Sequence, residues 1–341
     1  MLPGGGSFFA DDLTTSIERH QGDSDGQFII LMEEDEDEDT YYYAYTGSEE
    51  TFDITEDADY ELIAVGGRGG SCNNNSGGYG AQARGIFRLS KGDRLNIVVG
   101  GKGGDCNVEV VDFFDASSET MFTGAGGGGG SSIALEEGTS KTRKLLLVGG
   151  GGGGAGKDHG GDDGEDGQDG GFPWGGKNKE GGKLSCQDNG SICNFFLIGG
   201  AGGGGYDGDG ASRCGTFPSC PGRAEDFNPI HPIALNEREE CKKENLLAEG
   251  GESFQEGGVG GKKRVDASKT DLRCSYRYLN GGFGGFGGGG EGGIFVGGQY
   301  LKARSDGYTS HTEKYEHGGG GGGGGYGGGG AGEFQGLGGG G

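Results

Sequence analysis

Short apolar runs recur along the chain, and most of them end in glycine. Leu145–Val148 passes straight into six glycines, then Ala155 and Gly156. The same join occurs at Ile63–Gly70, Ile97–Gly104, Phe196–Gly205 and Phe295–Gly298. Apolar runs this short, bounded by turn residues, read as buried β-strands. Between them Tyr41, Tyr43 and Tyr45 alternate, with a turn at Thr46-Gly47. Phe52 and Ile54 alternate next, and a turn at 57–59 leads into Tyr60–Val65. Gly85–Leu89 and Leu95–Val99 flank Lys91-Gly92-Asp93, which is a hairpin signal. Ser131–Leu135 and Leu145–Val148 add two more strands. The pattern predicts a mainly β fold of sandwich type. One helix is predicted, an inserted surface element at Leu235–Glu249. There Leu235, Cys241 and Leu246 share a face and Gly250 is the stop.

The same pattern divides the chain. Residues 1–40 read as a disordered acidic tail, because Glu33–Asp39 is an unbroken run of seven acids that repel one another. Residues 41–341 form the glycine-rich domain. Its strands and first glycine tracts lie in 41–148, and glycine tracts with acidic and cysteine-containing insertions fill 149–280. The last tracts lie in 281–341, and an end inside such a tract suggests a fragment of a longer protein.

Composition sharpens the picture. Glycine supplies 91 of 341 residues but does not recur at every third position, and only 6 prolines are present, so collagen is excluded. Ordering a glycine costs about 0.5–1 kcal/mol more than ordering an alanine. A backbone hydrogen bond returns about 0.5–1.5 kcal/mol. Glycine tracts are therefore ordered only where most of their peptide groups bond to neighbouring tracts. Polyproline II suits this, with three residues per turn and every N–H and C=O pointing outward.

The formal charge of −25 disfavours nucleic acid and anionic membranes as partners. No apolar run approaches the ~20 residues of a membrane span, and no signal-peptide pattern is visible at the N-terminus. Eight cysteines nonetheless suggest an oxidising compartment. Cys186 with Cys193, Cys214 with Cys220, and Cys241 with Cys274 are local pairs, which leaves Cys72 with Cys106. Eight cysteines allow 105 connectivities, so spacing does not fix this set. Zinc competes, though no C-x-x-C pair is present. Asn74 and Asn189 head glycosylation sequons, which have meaning in a secreted chain.

Three motifs invite a chemical reading. Gly151–Lys157 fits G-x-x-x-x-G-K after a strand, but Asp158 stands where a phosphate loop needs Ser or Thr, and no helix can follow. Asp158, Asp162, Asp163, Glu165, Asp166 and Asp169 crowd together, and Asp207 and Asp209 follow. Calcium takes such oxygen ligands, yet the spacing matches no calcium loop, and a solvated acidic loop is the simpler reading. Arg68 within GGRGG, with Tyr79, Tyr206, Phe283, Phe286 and Tyr326 punctuating the glycine, suits RNA stacking or aromatic packing over glycine faces. Histidines 20, 159, 231, 311 and 317 are dispersed, and neither G-x-S-x-G nor HExxH occurs. No catalytic constellation or cofactor motif emerges.

Six blocks occur in a telling order. They are YTGSEETFDITEDADYELIAVGGRGG, GGYGAQARGIFRLSKGDRLNIVVGGKGG, GAGGGGGSSIAL, RKLLLVGGGGGGAG, GFGGFGGGG and GGGGGGGGYGGGG. Together they resemble the glycine-rich domain in the ectodomains of the anaplastic lymphoma kinase and leukocyte tyrosine kinase receptors. The likeness covers roughly 41–341 and is looser over 157–280. It implies a tumour-necrosis-factor-like β-sandwich joined to a bundle of polyglycine helices of polyproline II form. It also implies an extracellular or cell-surface setting, with a non-catalytic role in binding a protein ligand or in self-association. The longer protein would be membrane-anchored, but kinase signatures such as HRD and DFG are absent from this chain. The alternatives are a stand-alone structural or adhesive protein, and a low-complexity RNA-binding protein.

Overall fold

The computed structural model describes residues 16–19, 25–33, 38–112, 118–136, 143–164, 175–177, 179–184, 199–215, 232–234, 246–262, 268–271, 274–293, 295–304, 307–313 and 318–331. The fold is mainly β. Its first half contains β1 (Ser16–Arg19), β2 (Gln27–Glu33), β3 (Glu38–Ala44), β4 (Glu50–Asp53), β5 (Ala58–Val65), β6 (Ala81–Leu89), β7 (Arg94–Val98), β8 (Val108–Asp112), β9 (Ser118–Phe122), β10 (Ser131–Glu136) and β11 (Arg143–Gly149). Five strands form one antiparallel sheet in the order β1-β6-β5-β2-β3, and four form another in the order β11-β10-β7-β4. The two sheets share one hydrophobic cluster. Phe28, Ile30, Tyr60, Leu62 and Phe87 enter it from the first sheet, and Leu95, Ile97, Ile133 and Leu147 from the second.

Period-2 alternation explains most of this. Along β6 every second residue is buried, from Ala81 to Leu89. β11 departs from the rule, because the register slips between Ile133–Leu147 and Ala134–Leu145 and leaves Leu146 as an extra residue. A bulge of this kind bends the strand. Leu146 and Leu147 then both reach the shared core, while Leu145 and Val148 cover the other side against Tyr206 and Tyr326.

Residues 25–33 correct the reading of 1–40 as a tail. β2 lies inside the first sheet between β5 and β3, and Phe28 and Ile30 are fully buried. The acids dominate the composition, but they follow a strand core of five successive apolar residues, Phe28–Met32, and the strand pairing continues to Glu33 opposite Glu38. A second correction concerns Lys91-Gly92-Asp93. The turn is there, with Gly92 at φ +96°, but β6 and β7 belong to different sheets. The chain crosses between sheets at this point, held by Ile54 N–H donating to the Asp93 carbonyl at 2.8 Å.

The second half adds β12 (Arg213–Gly215), β13 (Pro232–Ala234), β14 (Leu246–Ala248), β15 (Ser268–Asp271), β16 (Cys274–Leu279), β17 (Phe295–Arg304) and β18 (Gly307–Glu313). They make a three-stranded sheet, β13-β12-β14, and a four-stranded one, β15-β16-β17-β18, while β8 and β9 pair as a hairpin. The helix expected over Leu235–Glu249 is corrected where it is described. Leu246–Ala248 is a strand paired with β12, and Leu247 and Ala248 are buried. Here tertiary pairing overrides a helical local preference; residues 235–245 lie outside the described part. At Phe295–Gly298 the glycines continue a strand, β17, instead of leaving it. Among the described residues the helical element is a single 3-10 turn, Phe254–Glu256. No helix among them is long and apolar enough to cross a membrane.

Candidate interaction surface on the glycine lattice

The strands β5, β7 and β11 run out of their sheets into glycine, and the tracts so formed bond to one another. Gly124–Gly130, which leads into β10, displays the rule. Gly124, Gly127 and Gly130 donate to the carbonyls of Gly293, Gly290 and Gly287 at 2.8–2.9 Å. Ala125 and Gly128 donate to Ala155 and Gly152, and Gly126 and Gly129 donate to Gly104 and Gly101. In return, the carbonyls of residues 124–129 accept from Gly282 and Gly285, from Gly321 and Gly324, and from Gly70 and Gly67. Each face therefore recurs every third residue, and one tract serves six neighbouring segments. Three residues per turn is the period of a polyproline II geometry.

Glycine is needed here for contact distance more than for torsion. A Cβ added at Gly128 would run into the Gly67 carbonyl, and one at Gly151 into the Gly128 carbonyl. Positive φ matters at the reversal between 282–285 and 289–293, where Gly287 and Gly288 sit at +96° and +86°. Alanine enters at a few buried points such as Ala125 and Ala155, which pack with Cys72.

The lattice is stapled and pinned by side chains. Cys72 and Cys106 form a disulfide, the pair that the other three assignments left over. Cys186, Cys193, Cys220 and Cys241 lie outside the described residues, as does Asn189. For Cys214 and Cys274 the description reaches only the backbone, in β12 and β16. Ser131 is fully buried where sheet turns into tract. Its hydroxyl donates to the Val65 carbonyl at 2.6 Å and accepts from Gly100 N–H at 2.8 Å. Arg68 is buried, donates from Nε to the Gly77 carbonyl at 3.1 Å, and lies 4.4 Å above the Tyr79 ring. This removes it as an RNA-stacking arginine. Tyr206 and Tyr326 stack at 6.4 Å under Lys179, so these aromatics pack against the lattice. Burial, then the neighbouring Asp207 carboxylate, raises the Tyr206 phenol above its ordinary 10.0.

The remaining motifs resolve on the same logic. Every backbone N–H from Gly151 to Gly156 is already donated to a carbonyl, so that run has no backbone donors left to cradle a phosphate. Asp163 accepts from Tyr79 N–H, and Asp209 accepts from Ser253 N–H, both through side-chain oxygens. Asp207 faces Lys179 at 3.6 Å. Among the described residues no group of three or more His, Cys, Asp and Glu side chains could hold a metal ion. Glu165, Asp166 and Asp169 lie outside them. Asn74 is exposed, at the tip of a two-residue turn closed by mutual Cys72–Asn75 backbone bonds.

One open groove of about 560 Å³ joins the two halves of the molecule. Tyr45 approaches it from the end of β3, Phe283 and Phe286 from a glycine tract, and Val259 and Lys262 from the segment after the 3-10 turn. Tyr45 and Phe286 meet at 6.3 Å between ring centroids. The spacing Phe283–Phe286 was the available signal, since these residues, three apart, both accept through their carbonyls from one tract, at Gly104 and Gly101. Val259 and Lys262 carried none, because only the fold brings them there. Comparison with known proteins found no family model and no curated protein that matches this chain.

Proposed function

We propose that the chain is a non-catalytic extracellular interaction domain, resembling the glycine-rich region of a receptor protein-tyrosine kinase. Its body is a tumour-necrosis-factor-like β-sandwich joined to a bundle of polyproline II glycine helices. The observation that carries this reading is the lattice around Gly124–Gly130, in which all seven N–H groups are donated to other segments. A chain that spends its backbone in this way gains a stiff scaffold and keeps few backbone groups for small ligands. Recognition then falls to the edges, such as the Tyr45–Phe286 groove and the charged loops, and suits a protein ligand or a second copy. The Cys72–Cys106 disulfide fits an oxidising compartment.

The test is to express the chain behind a secretory leader, count thiols, and follow amide hydrogen exchange and sedimentation on the non-reduced product. Secretion with Cys72 linked to Cys106 and with Gly126–Gly130, Gly149–Gly154 and Gly318–Gly330 protected is the expected result. Concentration-dependent sedimentation would assign the partner to a second copy, and a constant monomer would assign it to a different protein. Free thiols with random-coil exchange in those tracts overturn the reading in favour of a low-complexity chain.

A further inference from the structure

We infer that Tyr42 is an acceptor for tyrosine O-sulfation; the inference rests on the extracellular reading above. β3 ends the first sheet and pairs on one side with β2. Its alternation separates its tyrosines. Tyr41 and Tyr43 alternate with Tyr42 and make ring contacts, with Phe52 at 4.9 Å and Phe28 at 5.8 Å, although Tyr41 keeps 39 % of its surface exposed. Tyr45, just beyond the strand, leans on Phe286. Tyr42, opposite Ile29 in the ladder, faces outward and is 74 % exposed. Three of the four tyrosines are thus held in ring contacts, and one is presented to solvent on an extended edge.

The sequence before it supplies the recognition. Glu33–Asp39 places seven consecutive acids within nine residues on the N-terminal side of Tyr42. Sulfotransferases of the secretory pathway select tyrosines by flanking carboxylates, which meet basic groups around their catalytic cleft. In the transfer, the Tyr42 phenol oxygen attacks the sulfur of a phosphoadenosine phosphosulfate donor. A new O–S bond forms as the bond from sulfur to the donor's phosphate oxygen breaks. The phenol proton passes to a base of the transferase, and adenosine bisphosphate leaves, with no change of oxidation state. The product carries one more negative charge on an exposed strand edge, which discourages edge-to-edge pairing with another chain.

The experiment is secretion of the full chain from cultured animal cells in labelled sulfate, with mass spectrometry of the peptide that carries Tyr42. The expected result is labelled sulfate ester on Tyr42 and its loss in Tyr42→Phe, which leaves the packed tyrosines untouched. A folded, oxidised, secreted chain without sulfate at Tyr42 overturns the inference and leaves the extracellular reading standing. So does a label that persists in Tyr42→Phe, on Tyr41 or Tyr45. A phosphatase-sensitive phosphate ester at Tyr42, on a chain with free thiols, overturns both.

Discussion

At the residue scale, glycine in the tracts acts as a spacer that must stay small. At an unstrained site Gly→Ala stabilises by about 0.4–1 kcal/mol, because it restricts the unfolded chain. At Gly128 the sign should reverse, since the new Cβ meets the Gly67 carbonyl and Arg68 backbone, which are themselves fixed by hydrogen bonds. Overpacking of this kind costs about 1–3 kcal/mol, so Gly128→Ala should lower the urea midpoint. A midpoint unchanged or raised would mean that the tract is not laterally packed. Two tyrosines, Tyr206 buried and Tyr43 half-buried, give a pH signature. Tyr206 is raised by burial, then by Asp207 and Tyr326, with Arg143 opposing. Tyr43 is raised by burial, then by Glu50 and Tyr41. The folded protein then holds these protons after the unfolded chain has begun to release them. Their contribution is full below the ordinary value of 10.0 and is lost as pH rises through the folded value. Stability should fall as pH rises above about 10, and Tyr206→Phe with Tyr43→Phe should flatten that fall. An equally steep alkaline limb in the double variant would place the titration elsewhere.

At the element scale, β2 tests the division of the chain. It supplies Phe28 and Ile30 to the core and pairs along seven residues with β3. Phe28→Ala should cost about 3–5 kcal/mol. Removal of residues 1–40 should leave the remainder unable to fold, read as loss of a cooperative thermal transition. A cooperative 41–341 product would restore the tail reading. Strands β4 to β7, β10 and β11, and β3 from Tyr41 onward, were legible because their alternation and flanking turns are local. β2 was hidden because the adjacent acidic run dominates its composition, and acid density says nothing about the five apolar residues before it. The sheet change at Gly92 was hidden for a different reason: a turn signal specifies a reversal of direction, not the partner strand. β14 was misread because LLA satisfies either period over so short a span, and only β12 decides between them. In the groove, the Phe283–Phe286 spacing was readable, whereas the approach of Tyr45 from a strand far back in the chain was not.

At the scale of the whole molecule, the lattice and the sheets form one bonded object. Strands become tracts without a break, and Ser131 ties Val65 to Gly100 at the point of change. Each tract borrows its order from several others, so none can open alone without exposing unpaired groups on its neighbours. Hydrogen exchange in Gly124–Gly130 should therefore require an opening close to global unfolding. The Cys72–Cys106 disulfide provides the lever to test this. It closes a loop with a sequence separation of 34, and a crosslink of that size is worth about 2–4 kcal/mol through the unfolded chain. The double variant Cys72→Ala/Cys106→Ala should then speed exchange by roughly 30-fold to several hundred-fold, at about 1.4 kcal/mol per tenfold. The same factor should appear in tracts remote from the disulfide, such as Gly318–Gly325, as in those beside it at Gly66–Gly70 and Gly101–Gly104. Acceleration confined to the adjacent tracts would show that the lattice opens in separate pieces. In that case its stiffness would belong to individual pairs of tracts and not to the assembly.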